Sequence, residues 1–210
     1  MTPIHETEAG RQHLKLLAAR LFGDGVSVGV ARIANCAEAG LLPVEAAAIT
    51  SAVPARRAEF AAGRAAAREA LGRVVAIPMG VDRAPVWPEG IAGSIAHAGG
   101  WAMAVVSGGA AGIGLDLEVD EPLPEEVIDI VVRPEEQGDA RVIFCVKEAV
   151  YKAVYPQVRQ IFGFDVLSVV LNGDAFTARF TEGMPPFAEG HVLRGRVSRG
   201  SGFILAGVVL

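Results

Sequence analysis

Two carboxylates stand two positions apart near the middle of the chain, in the run Gly-Ile-Gly-Leu-Asp-Leu-Glu at residues 112–118. Alternate side chains of a β-strand point to the same face, so Asp116 and Glu118 are expected to lie side by side. Neighbouring carboxylates repel each other unless a positive charge lies between them. A hard cation such as Mg2+ suits the pair, because it prefers oxygen ligands and often bridges carboxylates to phosphates. A solvated face of an edge strand is the alternative interpretation.

A third carboxylate, Glu148, lies in a segment whose apolar residues recur with helical periodicity between residues 142 and 154. The opposite face of this predicted helix carries Lys147, Glu148, Tyr151 and Lys152. Glu148 and Lys152 are four positions apart in the favourable order for an ion pair. Spacing alone favours an exposed pair of small energetic value. The functional alternative is a third acid for the cation, with lysines that reach a phosphate.

Two further segments could bind an anion. The glycine-containing run at residues 87–97 allows a backbone to approach a ligand closely, and Ser94 and His97 could donate hydrogen bonds there. A single histidine is more often structural. On a predicted alanine-rich helix, Arg57, Arg64 and Arg68 lie close to one stripe. The guanidinium fork suits phosphate recognition, although a solvated helix face explains the stripe equally well.

Composition narrows the class of protein. The 210 residues carry a net charge of -5, which does not favour general nucleic-acid binding. Cys36 and Cys145 form no paired motif, so neither a disulfide framework nor a cysteine-based zinc site is expected. The first 17 residues lack the basic segment and apolar block of a secretory signal, which favours a cytoplasmic protein. Residues 90–115 are uncharged, but their eight glycines, including a predicted turn at Gly108-Gly109, favour buried strands over a membrane span.

The elements that must position these residues follow from periodicity and from turn residues. Helices are predicted over residues 1–25, from residue 42, over 55–71 with Gly72 as the terminator, and over 125–155. Strands are predicted over residues 26–33, 74–79, 93–95, 101–106, 113–119, 166–171, 175–180, 191–197 and 203–208. The chain is therefore expected to form two α+β halves joined near residues 107–113.

Four sequence motifs, taken together and in this order, resemble those of the 4'-phosphopantetheinyl transferases. They read R-R-A-E-F-A-A-G-R-A-A-A-R at residues 56–68, W-P-E-G-I-A-G-S-I-A-H at 87–97, G-L-D-L-E at 114–118 and F-C-V-K-E-A-V-Y-K at 144–152. The resemblance covers roughly residues 50–165 and points to the branch that serves siderophore, polyketide and nonribosomal peptide synthetases. It implies two similar α/β halves related by a pseudo-twofold axis, residues 1–110 and 111–210, with coenzyme A in the cleft between them.

The resemblance also implies a role for each motif residue. The metal ligands would be Asp116, Glu118 and Glu148, which would hold Mg2+ or Mn2+ against the coenzyme A diphosphate. The catalytic residues would be Glu148, Lys152 and Asp116, with Lys152 stabilising the leaving charge. The coenzyme A contacts would be Arg56 or Arg57, Arg64, Ser94, His97, Lys147 and Lys152. The base that activates the carrier serine would be Glu148, while a bridging water or Glu136 remains an alternative.

The implied activity is transfer of 4'-phosphopantetheine from coenzyme A to a serine of an apo carrier protein by a monomeric enzyme. Residues 121–138 are the expected carrier-contacting surface. Two positions depart from the family pattern, since Ala96 replaces a hydroxyl residue and Met79 stands where relatives carry a lysine. The competing interpretations are another magnesium-dependent phosphotransfer or hydrolytic enzyme, and a coenzyme A-binding protein without activity.

Overall fold

The computed structural model describes residues 8–36 and 38–210. The α-helices are α1 (Glu8–Ala19), α2 (Pro43–Ala48), α3 (Pro54–Leu71), α4 (Glu125–Val131) and α5 (Ala140–Val158). The strands are β1 (Val26–Arg32), β2 (Ile91–Ala98), β3 (Trp101–Gly108), β4 (Ile113–Val119), β5 (Leu167–Asn172), β6 (Ala175–Phe180), β7 (Val192–Gly200) and β8 (Phe203–Val209). Short 3-10 helices occupy Ile33–Asn35, Glu38–Gly40 and Phe164–Val166. The predicted α+β class is confirmed.

The two long helices begin and end for local reasons. Pro54 lies in the first turn of α3, where its missing N–H leaves no donor unpaired, and Gly72 ends the helix with a left-handed φ of 64°. At the start of α5 the Asp139 side chain accepts a hydrogen bond from the Arg141 backbone N–H at 2.9 Å. These ends fix where the arginines of α3 and the Lys-Glu motif of α5 lie along their helices.

The strands form two antiparallel sheets that contain the same unit twice. The first sheet has the order β1-β3-β2 and the second has the order β4-β8-β7-β6-β5. In each half a first strand leads through a long helix to a hairpin whose last strand pairs with the first: β1-α3-β2-β3 and β4-α5-β7-β8. The β5–β6 hairpin extends the second sheet. The repeated unit agrees with the expected pair of similar halves, while the division of the chain at residue 110 stays a prediction.

A glycine in the first strand of each half lets the long helix approach the sheet. A Cβ added to Gly29 of β1 would lie 1.9 Å from the carbonyl oxygen of Ala66 on α3. A Cβ added to Gly114 of β4 would lie 1.9 Å from the carbonyl oxygen of Ala149 on α5. Because no side chain fits in either gap, both helices pack directly on the strand backbone.

The two sheets lie between the two long helices. Helix α5 covers one face of the second sheet, and α3 covers one face of the first. Between the sheets lies a third apolar cluster, to which Met103 and Val105 of β3 contribute from one side and Leu115 and Leu117 of β4 from the other, closed by Leu17 of α1. The leucines that flank Asp116 therefore point between the sheets, and the acid itself points toward α5.

The predicted strand over residues 74–79 is wrong. This apolar segment is an extended loop with a single bridge between Met79 and Pro85. Its buried residue, Ile77, donates its N–H to Glu45 Oε1 at 2.8 Å and accepts a hydrogen bond from Arg64 Nε at 2.8 Å. The N–H and the carbonyl of Ile77 are thus hydrogen-bonded by side chains rather than by a neighbouring strand, and sequence periodicity does not indicate such partners.

Two other expectations need adjustment. The single helix predicted over residues 125–155 is two helices, α4 and α5, separated by residues 132–139. The predicted turn at Gly108-Gly109 lies where the buried strand β3 ends and the connection to the buried strand β4 begins, and Gly109 has a left-handed φ of 100°. A second turn, at Gly99-Gly100, joins β2 to β3. The helical lead-in predicted over residues 1–25 is α1, and residues 1–7 lie outside the described part. Among the described residues, no helix has both the length and the apolar character needed to cross a bilayer.

Candidate active site

The acidic strand β4 and the helix α5 meet at a salt bridge. Lys152 Nζ donates a hydrogen bond of 2.6 Å to Asp116 Oδ1. Burial alone would favour loss of the proton, but the charge of Asp116 and this hydrogen bond raise the pKa of Lys152. The other oxygen of the carboxylate, Asp116 Oδ2, is buried and has no hydrogen-bond partner within residues 8–36 and 38–210. An unpartnered buried carboxylate oxygen is costly, so this atom indicates a place for a ligand.

Glu118, on the same face of β4, has a different basic partner. Arg141 Nη1 donates a hydrogen bond of 2.8 Å to Glu118 Oε2, and both side chains are largely buried. Burial raises the pKa of Glu118, and the neighbouring charge of Asp116 raises it further, against the opposing effect of Arg141. The predicted sharing of one face by the two acids is thus confirmed, and each acid is compensated by a cation from α5.

Glu148 lies one turn before Lys152 on α5, within the electrostatic field of Asp116. Burial raises the pKa of Glu148, Lys152 lowers it and Asp116 raises it. Asp116 also raises the pKa of Glu118, so its charge acts on both of the other carboxylates. Among residues 8–36 and 38–210, however, no three acidic, histidine or cysteine side chains lie close enough together to hold a metal ion. In this conformation the lysine and the arginine, rather than a shared centre, hold Asp116 and Glu118.

Lys147 lies elsewhere than the sequence pattern indicated. Its side chain is 1% exposed, and its ammonium donates to Val131 O at 2.7 Å, to Glu136 Oε2 at 2.9 Å and to Phe164 O at 3.1 Å. All three of its protons are therefore used inside the second half. The sequence pattern placed Lys147 on the polar face of α5 with Glu148 and Lys152, but its side chain is buried, and this conformation leaves it no proton for coenzyme A.

The partner of Lys147 is also fully engaged. Glu136 Oε2 accepts a second hydrogen bond from the Arg133 N–H at 2.8 Å, and Glu136 Oε1 accepts one from the Val169 N–H at 2.6 Å. Both carboxylate oxygens are thus used to join the 132–139 loop to β5 and α5. This arrangement disfavours Glu136 as the alternative base.

The two adjacent arginines of α3 point in different directions. Arg56 Nη1 lies 3.1 Å from His97 Nε2 on β2 and 3.2 Å from Glu59 Oε2. Arg57 Nε lies 3.2 Å from Glu38 Oε1, on the 3-10 helix before α2. Burial lowers the pKa of His97, which favours the neutral ring. The structure therefore groups Arg56, rather than Arg57, with His97.

The remaining arginines of the predicted stripe lie deeper. Arg64 is 6% exposed, its guanidinium lies 3.8 Å from the centre of the Phe60 ring, and burial lowers its pKa to about 10. Arg68 binds the fully buried carboxylate of Glu45 at 2.9 Å. Arg68 therefore has a structural partner. Arg64 donates from Nε to the Ile77 carbonyl, and its terminal nitrogens have no hydrogen bond to the described residues, which leaves them for another acceptor.

Ser94 joins the two sheets. Its hydroxyl accepts a hydrogen bond from the Leu115 N–H at 3.0 Å and donates to the Leu115 carbonyl at 3.3 Å. The residue is buried, so its hydroxyl is used across the junction of β2 and β4 rather than offered to an anion. Its backbone nevertheless lines the cavity described next.

A cavity of about 280 Å3 lies between the 82–87 loop of the first half and α5 of the second half. Lys152 lies in its wall and also binds Asp116, so the cavity and the acidic strand share this residue. The lining residues are Asp82, Arg83, Ala84, Pro85, Trp87, Gly93, Ser94, Ile95, Tyr151, Lys152, Tyr155 and Pro156.

Comparison with known proteins decides the family. A model of the 4'-phosphopantetheinyl transferase N-terminal domain matches residues 44–107, and a model of the 4'-phosphopantetheinyl transferase superfamily matches residues 112–197. The 4'-phosphopantetheinyl transferase PptT of Mycobacterium tuberculosis is 33% identical over 197 residues, which cover 80% of this chain and 86% of the relative. The chain belongs to the 4'-phosphopantetheinyl transferase superfamily.

Other members of the superfamily are similar over different lengths. The transferase Svp of Streptomyces mobaraensis is 36% identical over 195 residues, covering 81% of this chain and 78% of the relative. Enterobactin synthase component D of Salmonella typhi is 33% identical over 131 residues, covering 56% of each chain. The family assignment made from the four motifs is confirmed.

The cavity wall of this transferase-family chain contains Asp82 and Arg83, which no sequence motif indicated. Asp82 Oδ2 accepts hydrogen bonds from Tyr155 Oη at 3.1 Å and from Arg159 Nη1 at 3.3 Å, which ties the loop to the end of α5. Arg83, with a left-handed φ of 66°, lies next to this tie in the cavity wall. An exposed Asp-Arg pair beside the Trp-Pro motif was the available signal, but the helix that it contacts is more than 70 residues away in sequence.

Proposed function

We propose that the protein transfers the 4'-phosphopantetheine group of coenzyme A to a serine of an apo carrier protein and releases 3',5'-ADP, with a divalent cation at the acidic site. The observation that carries the proposal is Asp116, whose Oδ1 binds Lys152, a residue that lines the cavity between the halves, while its Oδ2 is buried with no partner among the described residues. Membership of the transferase superfamily and the similarity to PptT and Svp support it.

The donor set fits a hard divalent cation. Three carboxylates come from two adjacent elements, Asp116 and Glu118 from β4 and Glu148 from α5, and the charge of Asp116 acts on both of the others. Oxygen ligands of this kind are those that Mg2+ and Mn2+ prefer. The buried, unpartnered oxygen of Asp116 is the strongest indication of a missing positive charge. When bound, the cation would neutralise charge on the coenzyme A diphosphate.

The side chains around this site can carry out the transfer. The carrier serine oxygen forms a bond to the phosphorus next to pantetheine, and the bond from that phosphorus to the ADP oxygen breaks. Such a reaction depends on positioning and on charge stabilisation. The ammonium of Lys152 would stabilise the departing oxygen. Glu148 is the candidate to accept the serine proton, since both oxygens of Glu136 are already hydrogen-bonded.

The first half would bind the nucleotide end of coenzyme A. Arg56 and His97 lie 3.1 Å apart and present a guanidinium and an imidazole together to the same space. Arg64 is buried near them and carries a cation on an interior helix face. We assign these three residues to the 3'-phosphate, and we do not assign Arg57, which pairs with Glu38.

The cavity next to Lys152 would take the pantetheine arm. Its wall combines Trp87, Tyr151 and Tyr155 with backbone groups of β2, which suits a chain that has both methyl and amide groups. Arg83 adds a cation on the 82–87 loop. It lies four positions after Met79, which stands where relatives carry a lysine. The separation of a cationic phosphate site from an aromatic cavity matches the two chemical ends of coenzyme A.

The expected carrier-contacting segment, residues 121–138, exposes mainly negative charge. Glu125, Glu126 and Asp129 of α4 are exposed, while Arg133 already binds Glu135 at 2.6 Å. The side chain that could contact a protein partner here is Ile130, which is 66% exposed. We propose that this segment contributes an apolar contact, so Ile130→Glu should raise KM for the carrier while Arg133→Glu should change it little. Equal effects of both variants would count against the assignment.

The deciding experiment is mass spectrometry of an apo carrier protein after incubation with coenzyme A and Mg2+. A mass gain of one phosphopantetheine, dependent on metal and lost in Asp116→Ala, would support the proposal. Hydrolysis of coenzyme A without modification of the carrier would instead favour another phosphotransfer or hydrolytic enzyme. Binding of coenzyme A with neither reaction would favour a protein without activity.

A further inference from the structure

The two cations that compensate the acidic pair are held in different ways. In the described part of the chain, Lys152 has one hydrogen bond, to Asp116, on a flexible side chain. Arg141 has three: its Nη1 bonds Glu118 Oε2 at 2.8 Å, its Nε bonds the Glu121 carbonyl at 3.0 Å and its Nη2 bonds the Pro122 carbonyl at 3.0 Å. Lys152 can leave its acid for a phosphate, whereas Arg141 is fixed at all three nitrogens.

The contacts of Arg141 join three parts of the structure. The residue lies in the first turn of α5, the carboxylate of Glu118 belongs to β4, and the two carbonyls belong to the turn after β4. The bond from Arg141 involves Glu118 Oε2, so Oε1 of the same carboxylate is the oxygen that can serve a ligand. The planar guanidinium thus sets the rotation of the carboxylate as well as its position.

We propose that Arg141 is a positioning residue for the divalent-cation site, a role that rests on the proposed function. It holds Glu118 by Oε2, which leaves Oε1 for a cation shared with Asp116 and Glu148, and it remains in place when the cation binds. Hydrogen bonds from outside a metal site orient the ligands, and their loss typically lowers metal affinity about 10–100-fold.

A purely electrostatic role for Arg141 predicts the opposite sign. A guanidinium next to Glu118 repels a second cation, so removal of its charge would then strengthen metal binding. On that view, Arg141→Lys, which retains the charge, would leave the affinity for the metal unchanged. The positioning role predicts a loss in both variants, because an ammonium cannot bond the carboxylate and the two carbonyls in the fixed planar geometry of Arg.

The test is calorimetric titration of the full chain with Mn2+, in the presence and absence of coenzyme A. We expect Arg141→Lys and Arg141→Gln to weaken Mn2+ binding by about tenfold or more. In transfer assays the KM for metal should rise with the same factor, while kcat at saturating Mn2+ should stay within about threefold of wild type.

Arg199 provides the matched control. It bonds Asp120 and Asp139 at the same end of β4 and α5 but does not contact Glu118. Arg199→Gln should match the modest stability loss of Arg141→Gln and leave Mn2+ affinity unchanged. Unaltered or tighter Mn2+ binding in both Arg141 variants would overturn the positioning role alone. Absence of Mn2+ binding by the wild-type protein, even with coenzyme A, would overturn both this role and the proposed cation site.

Discussion

The ammonium of Lys147 lies 2.9 Å from Glu136 Oε2, and the two side chains are 1% and 0% exposed. A buried ion pair contributes little net stability against apolar replacements, but removal of one partner leaves a charge buried without compensation. The Lys-Glu sequence of α5 therefore contains one structural residue, Lys147, next to one that faces the proposed site, Glu148. Two adjacent positions on a helix point about 100° apart, which is enough to separate the two roles.

Lys147→Met should destabilise the fold. We expect the free energy of unfolding to fall by about 3–5 kcal/mol, because Glu136 loses its charged partner. Urea unfolding followed by circular dichroism measures the change. Lys15→Met, which breaks a half-exposed pair with Glu69, is the control and should cost less than about 1 kcal/mol. If Lys147→Met instead had normal stability and bound coenzyme A weakly, Lys147 would again be assigned to coenzyme A binding.

Asp116→Asn and Lys152→Met should separate metal binding from catalysis. The asparagine loses the anionic oxygens, so both Mn2+ binding and transfer should be lost. Lys152→Met removes an ammonium that competes with the metal for Asp116, so Mn2+ should bind at least as tightly as in wild type. The same change removes the group that stabilises the leaving charge, so kcat should fall about 100-fold or more. Titration with Mn2+ and single-turnover transfer rates provide the two measurements. A Lys152→Met variant with normal kcat would contradict the assigned role.

Arg56→Gln should impair recognition of the 3'-phosphate specifically. A charge-assisted hydrogen bond is worth about 1.5–3 kcal/mol, so KM for coenzyme A should rise at least about tenfold. KM for dephospho-coenzyme A, which lacks that phosphate, should not change. Arg57→Gln is the matched control and should leave both values unchanged, since Arg57 forms an ion pair with Glu38. If Arg57→Gln alone showed the substrate-dependent effect, the two assignments would have to be exchanged.

Gly114→Ala should separate β4 from α5. The added Cβ would lie 1.9 Å from the Ala149 carbonyl oxygen, so the helix must move or the strand must distort. We expect a loss of at least about 1–3 kcal/mol in unfolding free energy, together with weaker Mn2+ binding as Glu148 is displaced from Asp116. Gly23→Ala, where a Cβ meets open space, should behave like wild type. Equal stability of the two variants would contradict the packing argument.

Stability should depend on pH through Glu69. Burial would raise the pKa of Glu69, but hydrogen bonds from Lys15, the Val30 N–H and Arg11 outweigh it and lower the pKa below 4.5. A carboxyl with a depressed folded-state pKa stabilises the fold above its unfolded pKa and loses that contribution as pH falls through the folded value. Glu69→Gln should therefore be less stable than wild type at pH 7, and the difference should shrink below about pH 4.5.

Unfolding curves at several pH values test this dependence. The exposed Glu89→Gln serves as the control and should match wild type throughout. A stability difference between Glu69→Gln and wild type that stayed constant down to pH 3 would contradict the role of Glu69.

The sequence predicted features that depend on local geometry. The pleat of a strand was enough to place Asp116 and Glu118 on one face, and the alanine-rich pattern was enough to predict α3 and its end at Gly72. The α+β class followed from the alternation of such patterns. The family followed from the combination and order of four motifs, because none of the four is specific on its own.

The tertiary structure decided which polar side chains remain available. Lys147 lies on the polar side of its helix pattern, yet the 132–139 loop and the 3-10 helix at Phe164–Val166 cover it. Helical spacing favoured Arg57, which lies on one stripe with Arg64 and Arg68. In the structure, however, Arg57 pairs with Glu38, and it is Arg56 that contacts His97. Periodicity reports the direction of a side chain relative to its own element. Which groups meet it there depends on long-range packing, and that alone separated the structural residues from those of the proposed site.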